Sequence, residues 1–516
     1  MAERTEEERE WLRQEREWKK EEKRRDAEQK KCEAERAARR RALRQRVDVA
    51  SSLFHRGSSA ALNAPDTASQ NTTRGRCFVV QHICLRMTEA FAFLWRILVK
   101  AGSALAAFAG KPWSVPVFIL AVVVSYIGIT CGAGFRLFEL TVHPPTLQFY
   151  VCDYSVGICS RLFVGAVIGL FTDRVTIQMM NTIINCAVCF SLLIQAVFAG
   201  LLLRAGLKNH SAPAALMGLL MTTDPLAVVE NMSSPGLLDV YLLVLFLLWL
   251  SLLKTPLIAL ATPVFCLVGM AIHYEFLFSF LPPMLTLLLN YAFFAKKKRQ
   301  RIGRWIAFAG GSGVSAASFF YFVFLAKDHL RMTSDEYYRH MLSRFSLTVS
   351  QRDTLTSLMG APVYRPYFDF YIFGQYQNYD YFKNIVDFFE FLKNWTVMGF
   401  VPGMLYKDLA LFLPVFLLAA VLWGKCTRGE KGLKKLPYIC FIGQALVLVP
   451  ELIISTDIWR WVSAALLAQF FVFAVVYLDK DAPLHRVADH TKMKPIPIMG
   501  GLAAAVAYIA YGFTLM

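Results

Sequence analysis

Residues 272–301 read I-H-Y-E-F-L-F-S-F-L-P-P-M-L-T-L-L-L-N-Y-A-F-F-A-K-K-K-R-Q-R, and the rest of the chain is read outward from them. From Phe276 to Ala295 the run is almost wholly apolar, and about 20 residues rising ~1.5 Å each cover a ~30 Å hydrocarbon layer. The run therefore predicts a transmembrane helix. Lys296, Lys297, Lys298, Arg299, Arg301 and Arg304 crowd one end, and such a cluster beside a span stays in the cytoplasm. His273 and Glu275 then fall at the opposite end, where ionisable groups near a bilayer are costly enough to mark function.

The composition extends this reading to the whole chain. With 56% hydrophobic and 18% charged residues and a mean hydropathy of +0.42, a soluble domain is excluded in favour of an all-α, polytopic helical membrane protein. The net charge of +17 sits mainly in short connections between apolar runs. Topology accounts for it there, so nucleic acid is not an expected partner. The 11 cysteines show no paired zinc spacing, so no metal site is read from them. Cys152 and Cys159 share the expected outer face and can pair, but nothing in the sequence requires it. The charged N-terminus is no signal peptide, so the first span must direct insertion.

Residues 1–47 form a charged block without Gly or Pro. Thr5 and Glu8 read as a capping box, and Glu15/Lys19 and Glu35/Arg39 are acid-before-base pairs on one helix face. A solvated cytoplasmic helix is expected, open to a cytoplasmic partner. Residues 48–77 read as a flexible linker. The stretch 78–110 is apolar but broken by His82, Arg86, Glu89, Arg96 and Lys100, which suits an amphipathic interfacial helix.

The multi-span domain occupies 111–516. Its spans are expected near 115–134, 156–171, 178–203, 237–253, 256–272, 276–295, 305–325, 408–424, 436–455, 459–478 and 496–514, about eleven in all. Counting from an inside N-terminus puts 204–212 outside. Counting back from Lys296 puts 233–239 outside too. Residues 213–232, with Asp224-Pro225 and Glu230, are then a re-entrant or interfacial excursion on the outer side. A long extracytoplasmic loop, 326–406, carries an aromatic stretch from 364 that suits either an interfacial belt or stacking on a sugar or headgroup.

This topology collects Glu139, Asp153, Arg161, His273, Glu275, Asp457 and Arg460 in one layer. Asp153 and Arg161 flank the entry to a span and read either as a structural ion pair or as part of a site. His273 and Glu275 would diverge by ~200° on a continuous helix, so they converge only if the chain bends. Glu275 has the chemistry of a general base or an interfacial carboxylate. In S-T-D-I-W-R-W, Thr456 or Asp457 can cap a helix and Asp457 neighbours Arg460, whose planar fork suits a phosphate.

The layout resembles the GT-C class of polytopic membrane glycosyltransferases. The resemblance rests on the span count, acidic residues after the first span, and the long outer loop. D-Y-S-V-G-I-C-S-R, I-H-Y-E and T-D-I-W-R-W are also similar to stretches in uncharacterised bacterial polysaccharide-associated membrane proteins. The resemblance covers about residues 110–516. It implies transfer of sugar from a polyprenyl-phosphate donor at the outer face of a bacterial plasma membrane, in cell-surface glycan or polysaccharide assembly. Asp153 or Glu139 would be the base. Arg460, with Asp457 and Arg161, would hold the lipid phosphate, and Glu275 and His273 would position the acceptor or a divalent cation. The class usually has a close acidic pair in its first outer loop, whereas Glu139 and Asp153 are well separated. The other reading is a transporter, flippase or polysaccharide-export protein with no chemical step.

Overall fold

The computed structural model describes residues 103–132, 140, 146–224, 237–346 except Lys296, 413–424, 427, 431–454 and 458–479, with scattered positions in 93–100 and 501–509. The chain divides into two units, Met1–Ala92 and Phe93–Met516, and only the second contains described residues. The expected 1–47 helix, the 48–77 linker, most of the 78–110 helix and the aromatic stretch 364–406 lie outside the described residues. So do Glu139 and Asp457.

Among the described residues every regular element is helical, and the one strand-like feature is a single bridge between Val175 and Phe345. The helices, in chain order, are α1 (Ser114–Gly132), α2 (Gln148–Val151), α3 (Phe163–Gly169), α4 (Ile177–Lys208), α5 (Ala212–Thr223), α6 (Asp239–Leu252), α7 (Ile258–Ile272), α8 (Phe276–Ser279), α9 (Leu281–Phe294), α10 (Lys298–Phe320), α11 (Ser334–Arg344), α12 (Leu413–Gly424), α13 (Leu436–Ile454) and α14 (Ile458–Leu478). Five stretches are long and apolar enough to cross a membrane: Ser114–Gly132, Ile177–Lys208, Phe276–Phe293, Lys298–Leu325 and Arg460–Leu478. In α1 the buried Phe118, Val122 and Tyr126 face the bundle while Leu120 and Val124 are exposed. Apolar side chains on both faces are what a lipid-embedded helix requires. Of these five, the Arg460–Leu478 stretch of α14 is the most enclosed, 83% buried.

The bundle has two polar ends. At one, Lys254 reaches Asp479 at 2.6 Å and the Tyr291 hydroxyl donates to the same carboxylate. There Arg304 donates to the Leu253 carbonyl and Asn209 to the Tyr477 hydroxyl. At the other end lie Asp239, His273, Glu275 and Arg460.

Two expectations of the sequence change here. The span expected at 156–171 is only the 7-residue α3, ~10 Å long. Both flanks of this stretch bond one neighbouring segment: Arg331 N–H donates to Val156 O at 2.9 Å, and Val175 N–H to Arg344 O at 2.7 Å. Those partners bracket α11, an 11-residue helix of ~16 Å, so the stretch leaves and returns on one side of the bundle. Turn chemistry explains why an apolar run does not become a long helix. Gly157 and Arg161 take positive φ (145° and 74°), and Arg161 N–H donates to Ala271 O at 2.9 Å.

The second change follows from the first. Helix α4, capped by the Thr176 hydroxyl, starts at the His273 end and runs 32 residues to the Lys254 end. Residues 204–212, expected on the same face as 233–239, therefore lie at the opposite end. From there α5 turns back along α4. An added Cβ at Gly206 would sit 2.3 Å from Ala215 N, and one at Gly218 would sit 2.4 Å from Leu203 N, so the two backbones nearly touch. After 12 residues α5 stops at Asp224, which is 1% exposed and followed by Pro225. Thr222 sits level with Leu192–Ala196, the middle of α4. The described part of the 213–232 segment, up to Asp224, thus enters the bundle from the Lys254 end and ends its helix level with the middle of α4, rather than lying on the outer side.

Candidate functional site

Three chain breaks build the site at the His273 end. Helix α7 ends where His273 turns extended (φ −162°, ψ 133°), and Glu275 precedes the first turn of α8. This bend brings back together two side chains that a continuous helix would splay apart, and Glu275 N–H donates to His273 Nδ1 at 3.0 Å. Asp239 opens α6, where its charge also suits the helix dipole. Arg460 lies in the first turn of α14.

Arg460 grips Asp239 with both arms of its fork, Nε to Oδ2 at 2.7 Å and Nη2 to Oδ1 at 3.1 Å. Its Nη2 also lies 4.0 Å from Glu275 Oε2. Ser279 Oγ donates to Glu275 Oε1 at 3.3 Å. Glu275 is 0% and Asp239 4% exposed, so each is held by partners rather than by water. Around this core His273 packs edge-on to Trp461. Arg161 donates to the Tyr274 hydroxyl at 3.0 Å and lies over a Tyr274 ring.

Asp153 belongs to a second, partly exposed cluster. Its Oδ1 accepts from the Ser155 amide at 2.9 Å and from the Ser155 hydroxyl at 2.5 Å, while its Oδ2 accepts from Arg344. His340 Nε2 lies 3.1 Å from Ser155 Oγ and 3.6 Å from Asp153 Oδ1. Burial works against the charged form, but the Ser155 hydrogen bonds, Arg344 and His340 together hold the carboxyl below the usual carboxylate range. The Asp153–Arg161 ion pair considered from the sequence is not formed, because the positive φ at Arg161 turns it toward Tyr274 and leaves Asp153 to Arg344. A Tyr241–Tyr150 hydroxyl pair, 3.1 Å apart, joins α6 two residues after Asp239 to α2 three residues before Asp153.

Of the residues chosen from the sequence, Arg161, His273, Glu275 and Arg460 thus share one end of the bundle. Asp153 stands in the adjoining cluster. Asp239, Arg344 and His340 were missed. Asp239 had a signal, since it is the sole Asp, Glu, Lys, Arg or His in the apolar run 237–253. Arg344 and His340 had none, lying in an ordinary amphipathic helix with a Thr333/Glu336 capping box. A divalent cation does not fit the Glu275–His273 pair, because His273 Nδ1 is already an acceptor for Glu275 N–H and Glu275 already faces a guanidinium. Comparison with protein-family models, curated proteins and solved structures found no match to this chain.

Proposed function

We propose that this is a multi-pass membrane protein with the 296–304 cluster in the cytoplasm and the His273 end outside. There it transfers sugar from a polyprenyl-phosphate donor in glycan assembly, as GT-C glycosyltransferases do. The observation that carries this is the convergence of Arg161, His273, Glu275 and Arg460, from distant parts of the chain, on one bundle end beside the Asp153 cluster. Such a site supplies carboxylates that can act as bases and guanidinium groups that can hold a phosphate.

In this reading Asp153 is the base, since its side chain is 26% exposed whereas Glu275 is enclosed. Ser155 and Arg344 orient its carboxylate. It takes the proton of the acceptor hydroxyl as that oxygen bonds to the anomeric carbon, and the bond from that carbon to the phosphate oxygen breaks. Arg161 and Arg460 receive the leaving phosphate, with Arg460 exchanging its hold on Asp239 for the new anion. The charged 1–47 block, cytoplasmic by the same topology, serves a cytoplasmic partner. The test is sugar transfer from synthetic polyprenyl-phosphate donors by the purified chain in nanodiscs. Asp153→Asn should abolish transfer while donor binding persists, and Arg161→Ala should weaken donor binding. Full transfer by Asp153→Asn would refute the assignment.

A second reading, transport without chemistry, is favoured by Asp224. A buried acid where α5 ends, level with the middle of α4, is what ion or substrate pathways through bundles use. Lipid-linked glycan crossing proteoliposomes without chemical change, and lost in Asp224→Asn, would decide for it.

A further inference from the structure

Between α1 and α4 lies an apolar cleft of about 220 Å³, lined by Val123, Tyr126 and Ile127 on one side and by Val188, Leu192 and Ala196 on the other. It plays no part in the charged site. Both its ends are sealed. Toward the Lys254 end, Gly200 packs so closely on α1 that an added Cβ would lie 2.8 Å from Ile119 Cα. Toward the His273 end, Asn185 and the Leu140 backbone exchange two hydrogen bonds, of 3.2 and 3.0 Å. The residues of α4 that line the cleft run from Asn185 to Ala196, ~16 Å of helix, close to the ~15 Å depth of one bilayer leaflet.

The open side of the cleft continues onto the exposed apolar surface formed by Leu120, Val124, Ile127, Phe190 and Leu193. In a bilayer that surface meets lipid. A cavity of about 150 Å³ with apolar walls already stays dry and takes up hydrocarbon, and walls left without partners forfeit their dispersion contacts. We propose that this cleft is a lipid-chain site, holding one acyl chain of a phospholipid that enters from the open, lipid-facing side. The sealed ends select a single chain lying along α4, and the apolar walls exclude water and headgroups. The proposal needs membrane embedding but not the sugar-transfer reaction.

The test uses the full chain in nanodiscs containing phosphatidylcholine with a photoactivatable diazirine in one acyl chain, with adducts mapped by mass spectrometry. Adducts should concentrate on residues 123–127 and 185–196. They should be lost in Ala196→Phe, which fills the cleft, and in Ile127→Trp, which blocks its mouth. Labelling of Leu260, Val264 and Leu267, exposed apolar residues on α7, should be unchanged in both variants. Ile127→Trp sits at a half-exposed position, so it decides the matter if Ala196→Phe does not fold. Adducts spread equally over the cleft and the α7 face, or unchanged in Ile127→Trp, would overturn the proposal.

Discussion

Arg460 and Asp239, 221 residues apart, form a two-pronged ion pair of 2.7 and 3.1 Å that ties the first turn of α14 to the first turn of α6. Breaking a buried pair leaves an uncompensated charge, at a cost of roughly 3–5 kcal/mol. Asp239→Ala should therefore lower the unfolding midpoint sharply in detergent. The double variant Asp239→Leu/Arg460→Leu should lose less than the sum of the two single changes. Arg460→Lys keeps the charge but loses the fork, so it should fall between wild type and Asp239→Ala. An unchanged midpoint in Asp239→Ala would mean that the pair does not bear on stability.

The Asp153 cluster carries a pH signature. Its carboxyl is held below the usual range, so its stabilisation is fully present above the unfolded value of ~3.9 and is lost as pH falls through the lower folded value. Asp153→Asn should cost about 1 kcal/mol at pH 7, modest because the pair is partly exposed. The difference from wild type should be constant from pH 7 to about 5 and shrink only below about 4. A difference that already fades between pH 7 and 5 would contradict the assigned direction.

Close backbone approach predicts unequal glycines. A Cβ on Gly165 would lie 2.0 Å from the Cys152 carbonyl oxygen, and one on Gly218 would lie 2.4 Å from Leu203 N, whereas Gly313 has nothing within 4 Å. Gly165→Ala and Gly218→Ala should each cost ~1–3 kcal/mol or prevent folding. Gly313→Ala, in an open helical position, should gain up to ~1 kcal/mol. Thermal unfolding of the three variants checks the order, and equal midpoints would count against the packing of α3 and α5.

The length and direction of α3 and α4 predict sidedness. In a cysteine-depleted background, Asn209→Cys should share its labelling by an impermeant reagent with Lys254→Cys and Arg301→Cys, and oppose Arg331→Cys. Labelling of Asn209→Cys together with Arg331→Cys would restore a full span at 156–171.

The sequence by itself determined the class and most of the helices. Hydrophobic burial is non-directional and scales with apolar area, so runs such as 276–295 and 459–478 declare themselves as long apolar helices wherever they pack. It also marked Arg161, His273, Glu275 and Arg460, because an ionisable group at the end of an apolar run is conspicuous. Only the tertiary structure decided their partners. Asp457 is the neighbour that spacing offers Arg460, three residues away, yet the fork closes on Asp239, which local spacing cannot foresee because ion pairs depend on which helix ends meet in space. For the same local reason spacing sets Asp153 with Arg161, while the fold pairs it with Arg344. The apolar run at 156–171 shows the limit of composition: positive φ at Gly157 and Arg161, and the hydrogen bonds to Ala271 and Arg331, outweigh its hydrophobicity, so a stretch that reads as a span folds as a short helix at one end of the bundle.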